Sequence, residues 1–194
     1  PVVDLWDFHD DAAAALPEEE LLQEALSHVD YRQVQILGLE EPLYDEKNTR
    51  IYTVALGDPS AMIDLGGIAK GYIADQVKGY LLSEGITSAL INLGGNVLTL
   101  GEKPDGSAFN IGIRRPFGSG GSDICAVVPI RNLSLVTSGN YERYFELDGQ
   151  LYHHILDPAT GYPSDSGVTS VTILCESSAE GDALSTTCFL LGVE

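Results

Sequence analysis

The sequence predicts an α+β fold in a single domain, with antiparallel sheets and packed helices. At 194 residues the chain is long enough for one domain with a substantial core. Many short runs of β-branched and aromatic residues alternate with turn-rich pieces, which is typical of antiparallel sheet. Three stretches with apolar residues at helical spacing add helices to that sheet.

Helix, strand and turn signals follow one another along residues 17–174. Pro17 and the three glutamates after it open a first helix, because proline fits the first turn and acidic side chains suit its positive end. A second helix follows the glycine-rich residues 64–72 and ends at Gly85. Asp148 and Gly149 predict a hairpin turn between two strand-like runs. Strand signals lie at residues 50–56, 88–93, 97–100, 109–113, 125–128, 133–136, 144–147, 150–155 and 168–174.

A third helix is predicted near the end of the chain. Ser177 and Glu180 have the spacing of a capping box, and Gly192 is a favoured residue just past a helix end. The helix would therefore run to residue 191. One side of it carries apolar residues that are predicted to pack inward, namely Leu184, Cys188 and Leu191.

The other side of this helix is polar. Asp182, Ser185 and Thr186 stand at i, i+3 and i+4, so their oxygens share one face. A carboxylate and two hydroxyls within one turn are a hard-oxygen set of the kind that Mg²⁺ accepts. A polar helix face is more often simply solvated, so this pattern alone leaves both interpretations open.

Charge and cysteine content limit the possible function. The chain has 10 basic and 29 acidic residues, a net charge of −19, which argues against non-specific nucleic-acid binding and against docking on anionic lipid. An anionic ligand would need a local cation to offset this charge. The three cysteines are far apart and show neither zinc spacing nor a disulfide framework.

Residues 64–72 form a glycine-rich turn that opens onto the second helix. Backbone N–H groups at a helix start, together with Lys70, are suited to bind phosphate. The glycine spacing matches neither a Walker A loop nor a dinucleotide-binding fingerprint. The alternative is a tight turn whose lysine is merely exposed.

Two adjacent histidines, His153 and His154, end a predicted strand. Neighbouring residues on a strand point to opposite faces, so at most one of them is expected to enter a given pocket. There it would be able to act as a general base near neutral pH; the alternative is a hydrogen-bonded or surface pair. Residues 137–144 form a polar turn with one arginine and two tyrosines, suited either to phosphate contact or to ordinary aromatic packing.

Five segments together resemble the ApbE family of FAD:protein FMN transferases, in order and in spacing. They are residues 64–72, 91–95, 137–144, 153–163 and 170–192. The resemblance implies an ApbE-like α+β fold related to the T-fold. Residues 1–194 would form a partial ApbE-like domain that lacks roughly the first third of the family domain.

The resemblance also implies a reaction and its residues. Such enzymes split the pyrophosphate of FAD, release AMP and join FMN through a phosphoester to a threonine or serine of an acceptor protein. By match to the family motifs, Asp182 would be catalytic. The incoming hydroxyl needs a base, for which His154 is expected ahead of His153. The implied Mg²⁺ ligands are Asp182, Ser185, Thr186 and the carbonyl of Gly67. The implied FAD contacts are Asp64, Lys70, His154, Ile155 and, more weakly, Trp6.

Two asparagines depart from the family pattern. Asn96 and Asn140 stand where the family often has aspartate, and each loses one negative charge that would otherwise influence metal binding.

The expected partner is an acceptor flavoprotein subunit of a redox-driven ion pump or a related electron-transfer protein. The resemblance further implies that the full-length protein is an extracytoplasmic lipoprotein, anchored by lipid to the bacterial cell membrane. Two alternatives remain: an FAD pyrophosphatase that yields FMN and AMP, and a non-catalytic extracytoplasmic FAD-binding protein.

Overall fold

The structure, a computed structural model, describes residues 1–6, 8, 15–37, 43–44, 50–118 and 123–193. Their helices are α1 (Glu19–Ser27), α2 (Ala69–Ser83) and α3 (Ser178–Leu191). Their strands are β1 (Val34–Leu37), β2 (Leu43–Tyr44), β3 (Arg50–Ile51), β4 (Thr53–Leu56), β5 (Ala89–Leu93), β6 (Asn96–Leu100), β7 (Phe109–Arg114), β8 (Ile124–Ile130), β9 (Ser134–Gly139), β10 (Tyr144–Leu147), β11 (Gln150–His153) and β12 (Ser170–Cys175). All strand pairs are antiparallel, so the predicted α+β class is confirmed.

The chain divides into two compact units, and the first comprises residues 1–63 and 156–162. Helix α1 begins directly after Pro17 and Glu18, as predicted, and buries Leu22 and Ala25. Strand β1 pairs with β4, and β2 pairs with β3. Strands β1 and β2 were not among the predicted elements.

The His28–Asp58 pair makes the stability of the first unit depend on pH. Nδ1 of His28 lies 2.6 Å from Oδ2 of Asp58. This hydrogen bond raises the pKa of His28 and lowers the pKa of Asp58. The stabilisation is therefore complete below the ordinary histidine pKa of about 6.5 and is lost as the pH rises through the raised value. On the acid side it is lost as the pH falls through the lowered pKa of Asp58.

We expect the melting temperature of the unchanged chain to fall more steeply between about pH 5 and about pH 9 than that of a His28→Gln variant. Glutamine keeps a polar side chain at this position but cannot gain a proton in this range. Thermal unfolding followed by circular dichroism measures both profiles. Parallel profiles would show that the ion pair contributes nothing to stability.

The second unit comprises residues 64–155 and 163–194 and is organised around a four-stranded sheet. The strand order in that sheet is β12-β9-β6-β5. Two hairpins accompany it, β7 with β8 and β10 with β11. In the second hairpin Asp148 and Gly149 have φ of 52° and 78°, which is the left-handed turn that the Asp-Gly pair predicts.

Helix α3 packs on this sheet with its polar face inward. Ser178, Asp182, Ser185 and Phe189 are buried, whereas Leu184 and Leu191 are 40% and 77% exposed. The prediction of inward packing is therefore wrong for Leu184 and Leu191, whereas Cys188 is half-buried. The inward face is set by a close approach of α3 to the sheet at Gly181.

Gly181 shows how close the helix lies to the sheet. A Cβ atom added there would come within 2.6 Å of Val136 Cγ2 and 2.8 Å of Cys175 Sγ. A larger side chain at this position would not fit at such a distance. The functional side chains of α3 are consequently held against β6 and β9.

Candidate functional site

The site begins with the carboxylate of Asp182, which is 6% exposed on the inner face of α3. Its Oδ2 accepts a hydrogen bond from the backbone N–H of Gly71 at 2.6 Å. Its Oδ1 accepts one from Nδ2 of Asn96 at 3.0 Å. Each carboxylate oxygen has a second acceptor position, so Asp182 is fixed in orientation while retaining capacity for a cation.

Helices α2 and α3 cap each other through two aspartates. Asp182 of α3 accepts from the first turn of α2, as just described. Asp75 of α2 accepts from the N–H groups of Ser178 and Ala179, at 2.9 and 3.0 Å, and from the hydroxyl of Ser177 at 2.9 Å. Each carboxylate thus lies at the positive end of the other helix, where negative charge is stabilising.

Asn96 connects this pair to the sheet. Its side chain is 1% exposed at the start of β6. Besides donating to Asp182, it accepts from the hydroxyl of Ser178 through Oδ1 at 2.6 Å. An ionised aspartate at this position would be unable to donate and would place a second negative charge against Asp182. Asparagine at this position therefore has a local physical reason.

Asn140, the second departure, follows β9. Its backbone N–H donates to the carbonyl of Thr169, while its side-chain Oδ1 is buried without a hydrogen-bond partner among the described residues. That oxygen is an unused acceptor. The effect of either asparagine on metal affinity stays a prediction.

Three hydroxyls lie beside one another where α3 crosses β9. Ser138 Oγ is 2.8 Å from Ser185 Oγ and 3.1 Å from Thr186 Oγ1. Helix α3 is continuous from Asp182 to Thr186, so Asp182, Ser185 and Thr186 at i, i+3 and i+4 share a face, as expected. Among the described residues no three His, Cys, Asp or Glu side chains are grouped to hold a metal. Any cation here would rely on one carboxylate plus hydroxyl and carbonyl oxygens, a hard-oxygen set that fits Mg²⁺.

Gly67 lies in the turn that leads into α2. An added Cβ atom would meet nothing within 4 Å, and the residue is not among those with positive φ. Nothing in the backbone therefore requires glycine at this position. If Gly67 is a ligand, it contributes through its carbonyl oxygen, which any residue would supply; this assignment stays a prediction.

Asp64 and Lys70 flank the same turn and are both exposed. Asp64 Oδ1 accepts from the N–H of Gly66 at 2.6 Å, which shapes the turn locally. Lys70 stands in the first turn of α2 and forms no ion pair with any described residue. In a chain of net charge −19 it is a cation that remains available to an anionic ligand.

The two histidines have different roles, as their opposite faces predict. His153 is 4% exposed and uses both ring nitrogens within the fold: Nε2 donates to the carbonyl of Ser164 at 3.2 Å, and Nδ1 accepts from the N–H of Ile155 at 3.3 Å. His154 is only partly buried, and its Nδ1 lies 3.1 Å from the carbonyl of Arg143. Since a carbonyl only accepts, Nδ1 carries the proton and Nε2 is left as an acceptor.

Burial, and secondly the positive charge of Arg143, lower the pKa of His154 to about 4. The charges of His153 and Lys70 act in the same direction. The imidazole is therefore neutral at neutral pH and able to accept a proton. Lys70 and Arg143 also bring positive charge to the surroundings of His154, which is what an anionic ligand would need here.

Ile155 and Trp6 were predicted to line a flavin pocket. The Ile155 side chain is 5% exposed within the second unit. Trp6 is 5% exposed in the first unit, where Nε1 donates to the carbonyl of Gly161 at 2.9 Å and the ring stacks on Phe8. Both side chains take part in packing, and their contact with a flavin stays a prediction.

Sequence reasoning missed three residues of this arrangement. Asp75 lies mid-helix with no local signal, because the helix it caps is 102 residues away in sequence. Ser138 and Arg143 stand in the polar segment 137–144, which was singled out without separate roles for its members. The polarity of that segment was the available signal, but only the fold shows which side chain meets α3.

Comparisons with known proteins identify the family of this chain. A sequence model of the ApbE family matches residues 1–194, so both units lie within one family domain. The chain is 41% identical over 203 residues to an FAD:protein FMN transferase of Treponema pallidum, covering 99% of this chain and 53% of that protein. It is 47% identical over 155 residues to one of Klebsiella pneumoniae, covering 80% and 46%.

Solved structures show the same fold. The ApbE protein of Thermotoga maritima has a TM-score of 0.80 and 38% identity, over 98% of this chain and 57% of that one. The flavin transferase ApbE of Vibrio cholerae has a TM-score of 0.79 and 31% identity, over 100% and 57%. The chain therefore spans about half the length of the curated relatives it matches.

Proposed function

Because this chain belongs to the ApbE family, we propose that it forms part of a Mg²⁺-dependent FAD:protein FMN transferase. The observation that carries the proposal is the buried Asp182, fixed at both oxygens and placed on the same helix face as Ser185 and Thr186. FAD would be the substrate, and a serine or threonine of an acceptor flavoprotein would receive FMN.

The cation would be held by Asp182 and Thr186, with Ser185 and the carbonyl of Gly67 as further candidates. When bound, Mg²⁺ would offset the negative charge of the FAD pyrophosphate and of the leaving AMP. Lys70 would add a fixed positive charge from the first turn of α2. Positive charge at the site is needed because the chain itself is strongly acidic and would repel the FAD pyrophosphate.

His154 is suited to accept the proton of the acceptor hydroxyl. Its Nδ1–H is held by the carbonyl of Arg143, which leaves Nε2 unprotonated at neutral pH. In the proposed step the hydroxyl oxygen bonds to the phosphorus of the FMN part, and the bond from that phosphorus to the bridging oxygen breaks. AMP leaves with the bridging oxygen, and the hydroxyl proton passes to His154.

The partner and location belong to the same proposal. The acceptor would be a flavin-carrying subunit of a redox-driven ion pump or a related electron-transfer protein, outside the cytoplasm. Support for both comes from family membership. No helix among the described residues has the length and apolar character needed to cross a bilayer.

Intact-mass measurement of a threonine-bearing acceptor domain tests the function directly. After incubation with this chain, FAD and Mg²⁺, we expect a gain equal to FMN less water, and no gain with a chelator. Release of AMP without a gain in mass would indicate a pyrophosphatase. Bound and intact FAD that survives chelation would indicate a carrier; either result would contradict the proposal.

A further inference from the structure

Four oxygens form a continuous hydrogen-bonded row between β9 and α3. Thr186 Oγ1 is 3.1 Å from Ser138 Oγ, which is 2.8 Å from Ser185 Oγ. Ser185 Oγ is in turn 3.1 Å from the backbone carbonyl oxygen of Asp182. Each hydroxyl has a single hydrogen to donate and can accept as well. Counting these hydrogens therefore fixes the direction of the whole row.

The direction follows from its last member. A carbonyl oxygen only accepts, so Ser185 donates its one hydrogen to the Asp182 carbonyl. Ser185 then has none left for Ser138, and Ser138 must donate to Ser185. Ser138 in turn has none left for Thr186, and Thr186 must donate to Ser138.

This order gives the two α3 hydroxyls of the row, those of Ser185 and Thr186, different properties. Thr186 has its hydrogen directed at Ser138, and its oxygen accepts from no described residue, so its lone pairs remain free. Ser185 already accepts from Ser138 and is 0% exposed. Thr187, the next residue, instead donates its hydroxyl hydrogen within the helix, to the carbonyl of Ala183 four residues back.

We propose that Ser138 is a positioning residue for the cation site: it accepts the Thr186 hydrogen and thereby turns the Thr186 oxygen toward the cation that Asp182 binds. Ser185 supports the row by accepting from Ser138 and donating to the Asp182 carbonyl. This inference rests on the proposed function, because it assumes that Asp182 and Thr186 hold a divalent cation. Hydrogen-bond partners of metal ligands commonly change metal affinity by about 10- to 100-fold when removed.

A matched control lies next to Ser138 on the same strand. Thr137 points to the opposite face of β9, where its hydroxyl is 2.9 Å from that of Thr172 on β12. Thr137 and Ser138 are both half-buried. A Thr137→Val variant therefore removes a hydroxyl from β9 without touching the row.

The experiment is a titration of the chain with Mn²⁺, followed by electron paramagnetic resonance of the free ion, which needs no catalytic turnover. We expect Ser138→Ala and the nearly isosteric Ser138→Cys to weaken Mn²⁺ binding by about ten-fold or more. Ser138→Thr retains the hydroxyl and should retain the affinity, as should Thr137→Val. Circular dichroism shows whether each variant is folded. If Ser138→Ala does not fold, the Mn²⁺ affinity of Ser138→Cys tests the inference.

Two results would overturn the inference, and only the second of them would also contradict the metal site of the proposed function. If the unchanged chain binds Mn²⁺ and the Ser138→Ala and Ser138→Cys variants bind it equally well, the role of Ser138 is wrong while the cation site stands. If the unchanged chain does not bind Mn²⁺, the metal site of the proposed function is wrong as well.

Discussion

Replacing Asp182 by alanine is expected to reduce FMN transfer by at least about 10³-fold. The change removes the one carboxylate of the candidate cation site, and a bound metal ion supplies several kcal/mol of charge stabilisation at about 1.4 kcal/mol per ten-fold in rate. It also leaves the N–H of Gly71 and the amide of Asn96 buried without their acceptor. The rate is measured as FMN incorporation into the acceptor by intact mass.

Glu180 offers a control on the same helix. Its side chain is exposed, so Glu180→Gln removes one negative charge without affecting the buried network. We expect this variant to transfer FMN at the rate of the unchanged chain. Asp182→Asn, which keeps the size of the side chain, should be nearly as inactive as Asp182→Ala. Substantial transfer by either Asp182 variant, in a folded chain, would remove this residue from the mechanism.

Gly71→Ala is expected to lower the free energy of unfolding of the second unit by at least about 3 kcal/mol. A Cβ atom at this position would overlap the backbone carbonyl of Ser178 and lie 2.7 Å from Cα of Ala179. Backbone atoms cannot rotate away as a side chain can, so α2 and α3 would have to separate. Urea unfolding followed by circular dichroism measures the loss.

The same helix contains the matching control at Gly79. A Cβ added there would meet nothing within 4 Å, and the residue is exposed. Because alanine is the better helix former, Gly79→Ala should raise the free energy of unfolding by about 0.5–1 kcal/mol. If both glycine variants were equally stable, helix propensity alone would govern α2 and the tight contact with α3 would not matter.

The elements that sequence predicted best are those with local signals. The third helix begins with Ser177 accepting from the N–H of Glu180 and ends at Gly192 with φ of 75°, as its cap residues indicated. The Asp148-Gly149 turn and the shared face of Asp182, Ser185 and Thr186 are likewise consequences of fixed spacing. Such signals act within a few residues, so they survive whatever the rest of the fold does.

The errors arose where distant packing decided the outcome. Leu184 and Leu191 of α3 were expected inside, but the helix approaches Val136 and Cys175 through Gly181, and the face with Asp182 and Ser185 is buried instead. Asp75 was not foreseen, because its partners belong to a helix far along the chain. Strands β1 and β2 were likewise not predicted.

The mutual capping of α2 and α3 has a consequence for how the second unit opens. Release of α3 from Asp75 would also withdraw Asp182 from the N–H of Gly71, so the two helix starts should lose protection in a single event. Amide hydrogen exchange at Gly71, Ser178 and Ala179 would then proceed at one common opening free energy. A cation held by Asp182 would slow exchange at the start of α3 as well, several residues from its own ligands.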